Sequence, residues 1–216
     1  MRYILVPGGW HGAWAYDAVA PILTDAGHVV EALTLAGLDG ECSKHVNLDH
    51  HIEQVVQAIG ASDVATTVVG HSYGGMVITG AADRATRAVD ALVYADAYVP
   101  EDRASVWALT SARYRELFIA GAAEDGLNCA PPPHLDKRCR PQSLACFVQA
   151  IKLNGNWPSV PKKVFILAGG GDGGPFVATY DRLRDDPAWS THRIECAHDI
   201  PRLAPQELAR ILLQSA

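Results

Sequence analysis

The pentapeptide Gly70-His71-Ser72-Tyr73-Gly74 places a serine at the centre of a G-x-S-x-G motif, between a β-branched run and a helical pattern. A sharp turn from strand to helix would strain the central residue and push its hydroxyl out beyond the sheet edge. The residues two before and two after it must then be small, and both are glycine. The start of the following helix would also present free N–H groups to a developing anion. The motif therefore predicts that Ser72 is a nucleophile for acyl transfer.

A serine nucleophile needs a base to accept its proton, and nine histidines compete for that role. His198 is favoured because it lies in a loop between the last strand pattern and the closing helical pattern. His11 is the main alternative, because its loop also borders the expected site. The sequence therefore predicts that His198 is the base.

Three aspartates could orient the imidazole of that base. Asp172 lies in the glycine-rich loop 169–174, directly after a strand pattern, and it is the predicted acid. Asp96 closes the preceding strand pattern and stays open as the acid or as a residue that lines the pocket. Asp199 adjoins the histidine in sequence, and it points poorly for the task.

Short β-type runs alternate with longer helical patterns along most of the chain. The runs cover residues 2–6, 28–35, 64–69, 89–95, 164–168 and 191–195. This alternation predicts an α/β fold with a six-stranded parallel sheet and helices on both faces. We expect the first strand to lie beside the third, with the fourth, fifth and sixth following outward.

The alternation breaks between residues 100 and 161, where prolines separate two helical patterns at residues 105–120 and 143–152. A stretch of about 60 residues is too long for a plain loop inside a compact domain. We therefore predict a single domain over residues 1–216, in which residues 100–161 form a small helical cap over a cleft. These residues are called the cap segment below.

Four segments resemble the α/β-hydrolase superfamily, and more closely its branch of small plant-type esterases and hydroxynitrile lyases with their bacterial relatives. They are residues 6–14 (VPGGWHGAW), residues 70–75 (GHSYGG), residues 94–101 (YADAYVPE) and the segment around Ala197-His198. The resemblance implies the chain order serine, acid, histidine. That order agrees with His198 as the base, and the superfamily's strand-end acid matches the position of Asp172.

The resemblance also implies two backbone donors for an oxyanion. One is the N–H of Tyr73, directly after the nucleophile, and the other is the N–H of Gly9 in the loop after the first strand. The family usually has His-Gly where this chain has Pro7-Gly8. We expect Gly8, Trp10 and Asp96 to contact the substrate. Trp10 adjoins the second oxyanion donor, and the family context of Asp96 is typical of a structural or pocket-lining residue.

The composition limits the partners that the protein could have. The net charge is −6 and the 18 Lys and Arg form no long run, which argues against nucleic acid. No apolar stretch approaches the ~18 residues of a membrane helix, and the apolar N-terminal run is short, so we expect a cytoplasmic protein without a membrane partner. Five scattered cysteines indicate neither a disulfide framework nor a metal site, and no cofactor is expected. A homodimer is possible.

The predicted function is a carboxylesterase-type serine hydrolase that cleaves a small, mostly apolar ester, thioester or lactone through an acyl-enzyme. One alternative is a non-hydrolytic lyase or cyclase that uses the same site in a biosynthetic pathway. The lyases of this branch carry a threonine in the oxyanion loop and a lysine after the catalytic histidine, where this chain has Gly8 and Asp199. Another alternative is a ligand-binding receptor built on the hydrolase fold.

Overall fold

A computed structural model describes residues 1–40, 45–85, 88–171 and 174–215. Its strands are β1 (Arg2–Val6), β2 (Val29–Ala32), β3 (Thr66–His71), β4 (Ala91–Ala95), β5 (Asn128–Cys129), β6 (Gln142–Ser143), β7 (Lys162–Ala168) and β8 (Ser190–Ile194). Six of these described strands form one parallel sheet in the order β2-β1-β3-β4-β7-β8. The predicted six-stranded parallel sheet and its strand order are therefore confirmed.

Helices cover both faces of the sheet, as predicted. They are α1 (Ala20–Asp25), α2 (Leu48–Gly60), α3 (Gly74–Arg84), α4 (Val106–Leu109), α5 (Ala112–Gly121), α6 (Ala145–Val148), α7 (Val177–Leu183), α8 (Ile200–Leu203) and α9 (Pro205–Ser215). One core packs α2 and α3 against the sheet through side chains such as Ile52 and Met76. The other core packs α1 and α9 through Leu23 and Leu212.

The strand register brings the carboxyl ends of the central strands to one level. Val6 of β1 pairs with Gly70 of β3, and Gly70 pairs with Tyr94 of β4. Because all these strands run in parallel, the loops that follow them meet at one edge of the sheet. The described chain segments that hold predicted catalytic groups follow β1, β3, β4 and β8, and so converge there.

Two predicted helices are interrupted in the structure. Apolar residues at helical spacing over residues 14–26 predict one helix, but the chain there forms a 3₁₀ turn, Ala13–Tyr16, and then the short α1, in which Pro21 occupies the first turn. Proline is tolerated at that position because the first N–H groups of a helix have no partner within it. The pattern at 105–120 divides into α4 and α5, because Ser105 and Ser111 each cap the helix that follows.

The cap segment lies between β4 and β7. It carries α4, α5 and α6, together with the antiparallel ribbon of β5 and β6, which the sequence did not predict. Only α6 forms within the helical pattern expected at 143–152. The division of the chain into a domain and a cap stays a prediction. None of the described helices is both long and apolar enough to cross a membrane.

Candidate active site

Ser72 lies in a tight turn between β3 and α3, with a positive φ of 52°. A non-glycine residue in this region is strained, and the surrounding structure must hold it there. The two flanking glycines make the turn possible. A Cβ on Gly70 would lie 2.7 Å from the Gly74 carbonyl oxygen, and a Cβ on Gly74 would lie 2.7 Å from the Val6 oxygen. Main-chain atoms thus leave no room for a side chain at either position, as the motif predicts.

His198 joins this serine to a carboxylate through its two ring nitrogens. Its Nε2 lies 3.0 Å from the Ser72 Oγ, and its Nδ1 lies 2.6 Å from the Asp96 Oδ2. A carboxylate can only accept, so Nδ1 carries the proton and donates to Asp96. Nε2 is then free to accept the hydrogen bond from the Ser72 hydroxyl. This is the tautomer that a general base requires.

Asp96, which the sequence left open as the acid, takes the position beside His198 that the sequence assigned to Asp172. Asp172 itself lies outside the described residues. Asp96 directly follows β4, where its φ of 45° turns the chain across the end of β7. Its N–H donates to the Ile166 oxygen at 2.7 Å, and its Oδ1 accepts from the Ala168 N–H at 3.0 Å. These bonds carry the carboxylate past β7, so the extra strand between β4 and β8 is no obstacle.

Two rings fix the plane of the His198 imidazole. The Phe176 ring stacks on it with centroids 5.4 Å apart and an interplanar angle of 7°. The His71 ring has its centroid 4.7 Å away, and its Nε2–H donates to the His198 carbonyl oxygen at 2.9 Å. Burial lowers the pKa of His71 well below its ordinary value, and the nearby His198 and His11 lower it further. His71 therefore stays neutral and acts here as a donor that holds the His198 loop.

The loop after β1 lies directly against the nucleophile. A Cβ on Gly8 would be 3.2 Å from the Ser72 Cβ and 2.8 Å from the His71 Nδ1, so only glycine fits there. Within the described chain, the N–H groups of Gly9 and Tyr73 donate to no other protein group. Both of the predicted oxyanion donors are thus unpaired in the structure, on the two segments that flank Ser72.

The side chain of Tyr73 points into the core. Its hydroxyl donates to the His51 Nδ1 at 2.8 Å, and the His51 Nε2–H donates to the Ala36 oxygen at 3.0 Å. Burial raises the pKa of Tyr73 well above its usual range and lowers the pKa of His51 to about 4. Both groups are therefore neutral at pH 7, and they anchor the start of α3 so that the Tyr73 amide remains at the site.

A cavity of about 530 Å³ opens beside this arrangement. Asp96, His198 and Phe176 form its inner wall, and α5 of the cap segment forms part of its outer wall with Tyr114 and Leu117. This volume is in the range of pockets that hold small organic molecules. Its lining is more apolar than polar, which suits a mostly apolar substrate.

Only one of the three residues predicted to contact the substrate lines this cavity. Asp96 lines the cavity, whereas Gly8 and Trp10 are not among the described lining residues. The Trp10 ring is buried and packs against Phe118 and Phe147 of the cap segment, with its Nε1–H donating to the Cys129 oxygen. Contact of Gly8 or Trp10 with a substrate stays a prediction.

His11, the alternative base, does not reach the serine. Its Nδ1–H donates to the Gly9 oxygen at 2.7 Å, and burial lowers its pKa. Its Nε2 lies 3.9 Å from the Asp199 Oδ2. His11 therefore supports the loop that carries Gly9. In the part of the chain that the structure describes, no three His, Cys, Asp or Glu side chains could hold a metal ion together.

Sequence reasoning missed two residues of the site. Phe176 follows a glycine-rich loop, and nothing in that context indicates that its ring would stack on His198. Gln142 reaches the loop after β1 from the cap segment, where its Oε1 accepts from the Trp10 N–H at 2.8 Å. The two partners are 132 positions apart along the chain, so no local pattern indicates their contact.

Comparisons with known proteins agree with this geometry. A model of the alpha/beta hydrolase family matches residues 3–211. The carbendazim hydrolyzing esterase of Nocardioides sp. (strain SG-4G) is 37% identical to this chain over 98% of each protein. Methylesterase 2 of Arabidopsis thaliana is 29% identical over 48% of this chain and 42% of that protein.

A solved structure shows the same architecture over its whole length. It is that of an extracellular alpha/beta-hydrolase from a Paenibacillus species, described as sharing structural and functional homology with tobacco salicylic acid binding protein 2. The TM-score is 0.84 at 20% identity, with 100% of this chain and 99% of that chain covered. The resemblance seen in the sequence is thereby confirmed. The chain belongs to the alpha/beta hydrolase family, and it is an ester-cleaving enzyme of the carboxylesterase type.

Proposed function

We propose that the protein cleaves small carboxylic esters, thioesters or lactones through a catalytic triad of Ser72, His198 and Asp96. The observation that carries the proposal is the continuous hydrogen-bonded chain from the Ser72 hydroxyl through both ring nitrogens of His198 to the Asp96 carboxylate. Each member has the donor or acceptor role that acyl transfer requires of it.

In the first half of the reaction, the Ser72 Oγ attacks the substrate carbonyl and its proton passes to the His198 Nε2. Asp96 holds the imidazole in place and stabilises the imidazolium that forms. The N–H groups of Gly9 and Tyr73 receive the negative charge that develops on the carbonyl oxygen. The loss of one such donor typically lowers the rate by about 10²–10³.

The His198 imidazolium then gives its proton to the departing alcohol or thiol, which completes the first half and leaves an acyl group on Ser72. In the second half, His198 takes a proton from water as the water attacks the acyl-enzyme, and it returns that proton to the Ser72 Oγ as the acid leaves. The site needs no electron transfer for either half. The 530 Å³ cavity beside His198 limits the substrate to a small molecule, and its lining favours apolar groups.

The structure does not favour the lyase alternative at Gly8 and Asp199, the two positions where the lyases of this branch carry threonine and lysine. A threonine at position 8 would collide with the His71 ring, because a Cβ there already lies 2.8 Å from Nδ1. The residue after His198 is Asp199, which pairs with Arg202 at 3.1 Å and supplies no lysine amine. A receptor role would leave the complete Ser72–His198–Asp96 arrangement unused.

A panel of aryl esters with graded acyl length tests the proposal. We expect hydrolysis that is fastest for short acyl groups, and complete loss of turnover after treatment with a serine-reactive phosphonate. Carbendazim, after which the bacterial relative is named, belongs in the same panel. Ligand binding that the phosphonate blocks, without turnover of any ester, would instead favour a receptor.

The remaining expectations from the sequence stay predictions. They are a cytoplasmic location, a homodimer, and the absence of a cofactor and of nucleic-acid and membrane partners. Cell fractionation and size-exclusion chromatography test the first two. Binding measurements with duplex DNA and with lipid vesicles test the last two.

A further inference from the structure

The oxyanion loop after β1 contains a strained turn. The His11 N–H returns to the Gly8 oxygen at 3.2 Å, which closes a four-residue turn around Gly9 and Trp10. Trp10, in the third position of this turn, has a φ of 65°. A positive φ at that position is typical of type II turns, which favour glycine there. This chain instead places its largest side-chain type at the strained position, so other contacts must hold the turn.

Those contacts come from the cap segment. The Trp10 N–H donates to the Gln142 Oε1 at 2.8 Å, and its indole N–H donates to the Cys129 oxygen at 2.9 Å. The Trp10 oxygen accepts from the Arg140 N–H at 3.0 Å. All three partners lie on the β5–β6 ribbon or on the chain that enters β6. One element of the cap segment therefore forms a hydrogen bond with every polar group of Trp10.

The peptide between Gly9 and Trp10 is held from both sides. Its oxygen accepts from the His11 Nδ1, and its N–H donates to the Gln142 side chain. Rotation of this central peptide is the change that converts a type II turn into a type I turn, where φ of the third residue is negative and unstrained. Gln142 therefore opposes the rotation that would relieve Trp10, reverse the Gly9 carbonyl and loosen the turn that holds the Gly9 N–H.

Two features of Gln142 bear on its contact with Trp10: the side chain is buried, and its amide nitrogen has no partner in the described chain. It is 1% exposed, and its Nε2 is buried without a hydrogen-bond partner in the described chain. A buried amide donor without a partner lowers the stability of the fold. The hydrogen bonds of Gln142 are therefore not optimised for stability, and the contact of its oxygen with Trp10 is what the side chain contributes. Its oxygen makes the contact to Trp10, and a Cβ on Gly9 would lie 3.6 Å from that oxygen.

We propose that Gln142 is a positioning residue of the cap segment that keeps the oxyanion loop in its active conformation. The proposal rests on the proposed function, because it assigns the Gly9 N–H to the oxyanion. Gln142 touches neither the serine nor the histidine. It acts through Trp10 and Gly9. The oxyanion hole therefore forms only when the cap segment is packed against the loop after β1.

Three variants test the proposal. Gln142→Met keeps the length of the side chain and removes the acceptor, whereas Gln142→Glu keeps an acceptor oxygen whether or not it is ionised. Gln149→Met is the matched control, because Gln149 is another glutamine of the cap segment whose Oε1 accepts a main-chain N–H, that of Asp49 at 3.3 Å. Circular dichroism and thermal melts establish that each variant is folded.

We expect Gln142→Met to lower kcat about 10- to 100-fold with KM changed less than threefold, because the oxyanion forms only after the substrate is bound. Affinity for a trifluoromethyl ketone, which forms a tetrahedral adduct with serine, should fall by a similar factor. We expect Gln142→Glu to restore kcat to within about threefold of wild type, and Gln149→Met to leave kcat unchanged.

Equal kcat values for Gln142→Met and Gln149→Met would overturn the positioning role. So would a loss of kcat in Gln142→Met that is matched in Gln142→Glu, since acceptance from Trp10 would then not be the cause. In both cases, loss of turnover in Ser72→Ala would leave the proposed function standing. Full turnover in Ser72→Ala would overturn the proposed function itself, whatever the result at position 142.

Discussion

Replacement of Asp96 by asparagine is the perturbation that separates the two candidate acids. In the wild type, the Asp96 Oδ1 accepts from the Ala168 N–H and Oδ2 accepts from the His198 Nδ1–H. An asparagine whose oxygen stays with Ala168 turns its NH₂ group towards His198. Nδ1 must then accept, so the ring proton moves to Nε2 and the imidazole can no longer take the proton of Ser72.

The opposite orientation of the asparagine amide is also unfavourable. It would keep the oxygen on His198 but would direct the NH₂ group at the Ala168 N–H, where two donors meet at about 3 Å. We therefore expect Asp96→Asn to lower kcat by about 10³–10⁴, the size of effect known for this change in serine proteases. This corresponds to about 4–5 kcal/mol of transition-state stabilisation.

The assay is the steady-state hydrolysis of a short-chain aryl ester by Asp96→Asn and, in parallel, by Asp172→Asn. Because Asp96 already occupies Nδ1 of His198, we expect Asp172→Asn to retain kcat within about threefold of wild type. Thermal melts of both variants serve as the control for folding. The assignment would be refuted if Asp96→Asn left kcat nearly unchanged and Asp172→Asn lowered kcat by several orders of magnitude.

Three further predictions concern the same framework. Ser72→Gly should abolish turnover without lowering Tm, because glycine relieves the positive φ at that position; a melt and an ester assay check both parts. Gly75→Ala should destabilise the fold by about 3 kcal/mol in urea unfolding, because its Cβ would overlap the Tyr98 oxygen; an unchanged midpoint would contradict this. The pKa of His51, lowered to about 4 in the fold, means that the unfolded chain binds more protons between pH 6.5 and 4. Stability should therefore fall by about 2 kcal/mol from this group between pH 7.5 and 5, and His51→Gln should show a smaller fall.

The parallel sheet could be predicted because its signals are local. Each β-branched run stops at a glycine, a proline or a polar turn, and the alternation with helical patterns allows few topologies. The elbow around Ser72 was predictable for the same reason, since the steric need for Gly70 and Gly74 is contained in five residues. Its positive φ is the strain that the motif implies.

The acid could not be identified from its position along the chain. The sequence indicates only that Asp96 and Asp172 both follow strands, and the neighbouring strand is the simpler choice. The decisive contacts are the bonds from Asp96 to Ile166 and Ala168, which carry the β4 end across β7. Such bonds depend on main-chain geometry at a strand end, which side-chain patterns do not encode.

The cap segment was the least predictable part for a similar reason. Ribbon β5–β6 has two residues in each strand, too few for an alternating pattern. Its contribution to the site comes from Gln142, whose contact with Trp10 spans 132 residues. Long-range contacts of single side chains leave no periodic signal, so only the structure reveals them.

Trapping of the acyl-enzyme tests the central claim most directly. The enzyme is mixed with a short-chain aryl ester, quenched in acid within milliseconds, and digested for peptide mass spectrometry. We expect one acyl group on the peptide that contains Ser72, formed far more slowly in Asp96→Asn and not formed in Ser72→Ala. Turnover without any acylated peptide, or an acyl group on another residue that persists in Ser72→Ala, would contradict the account.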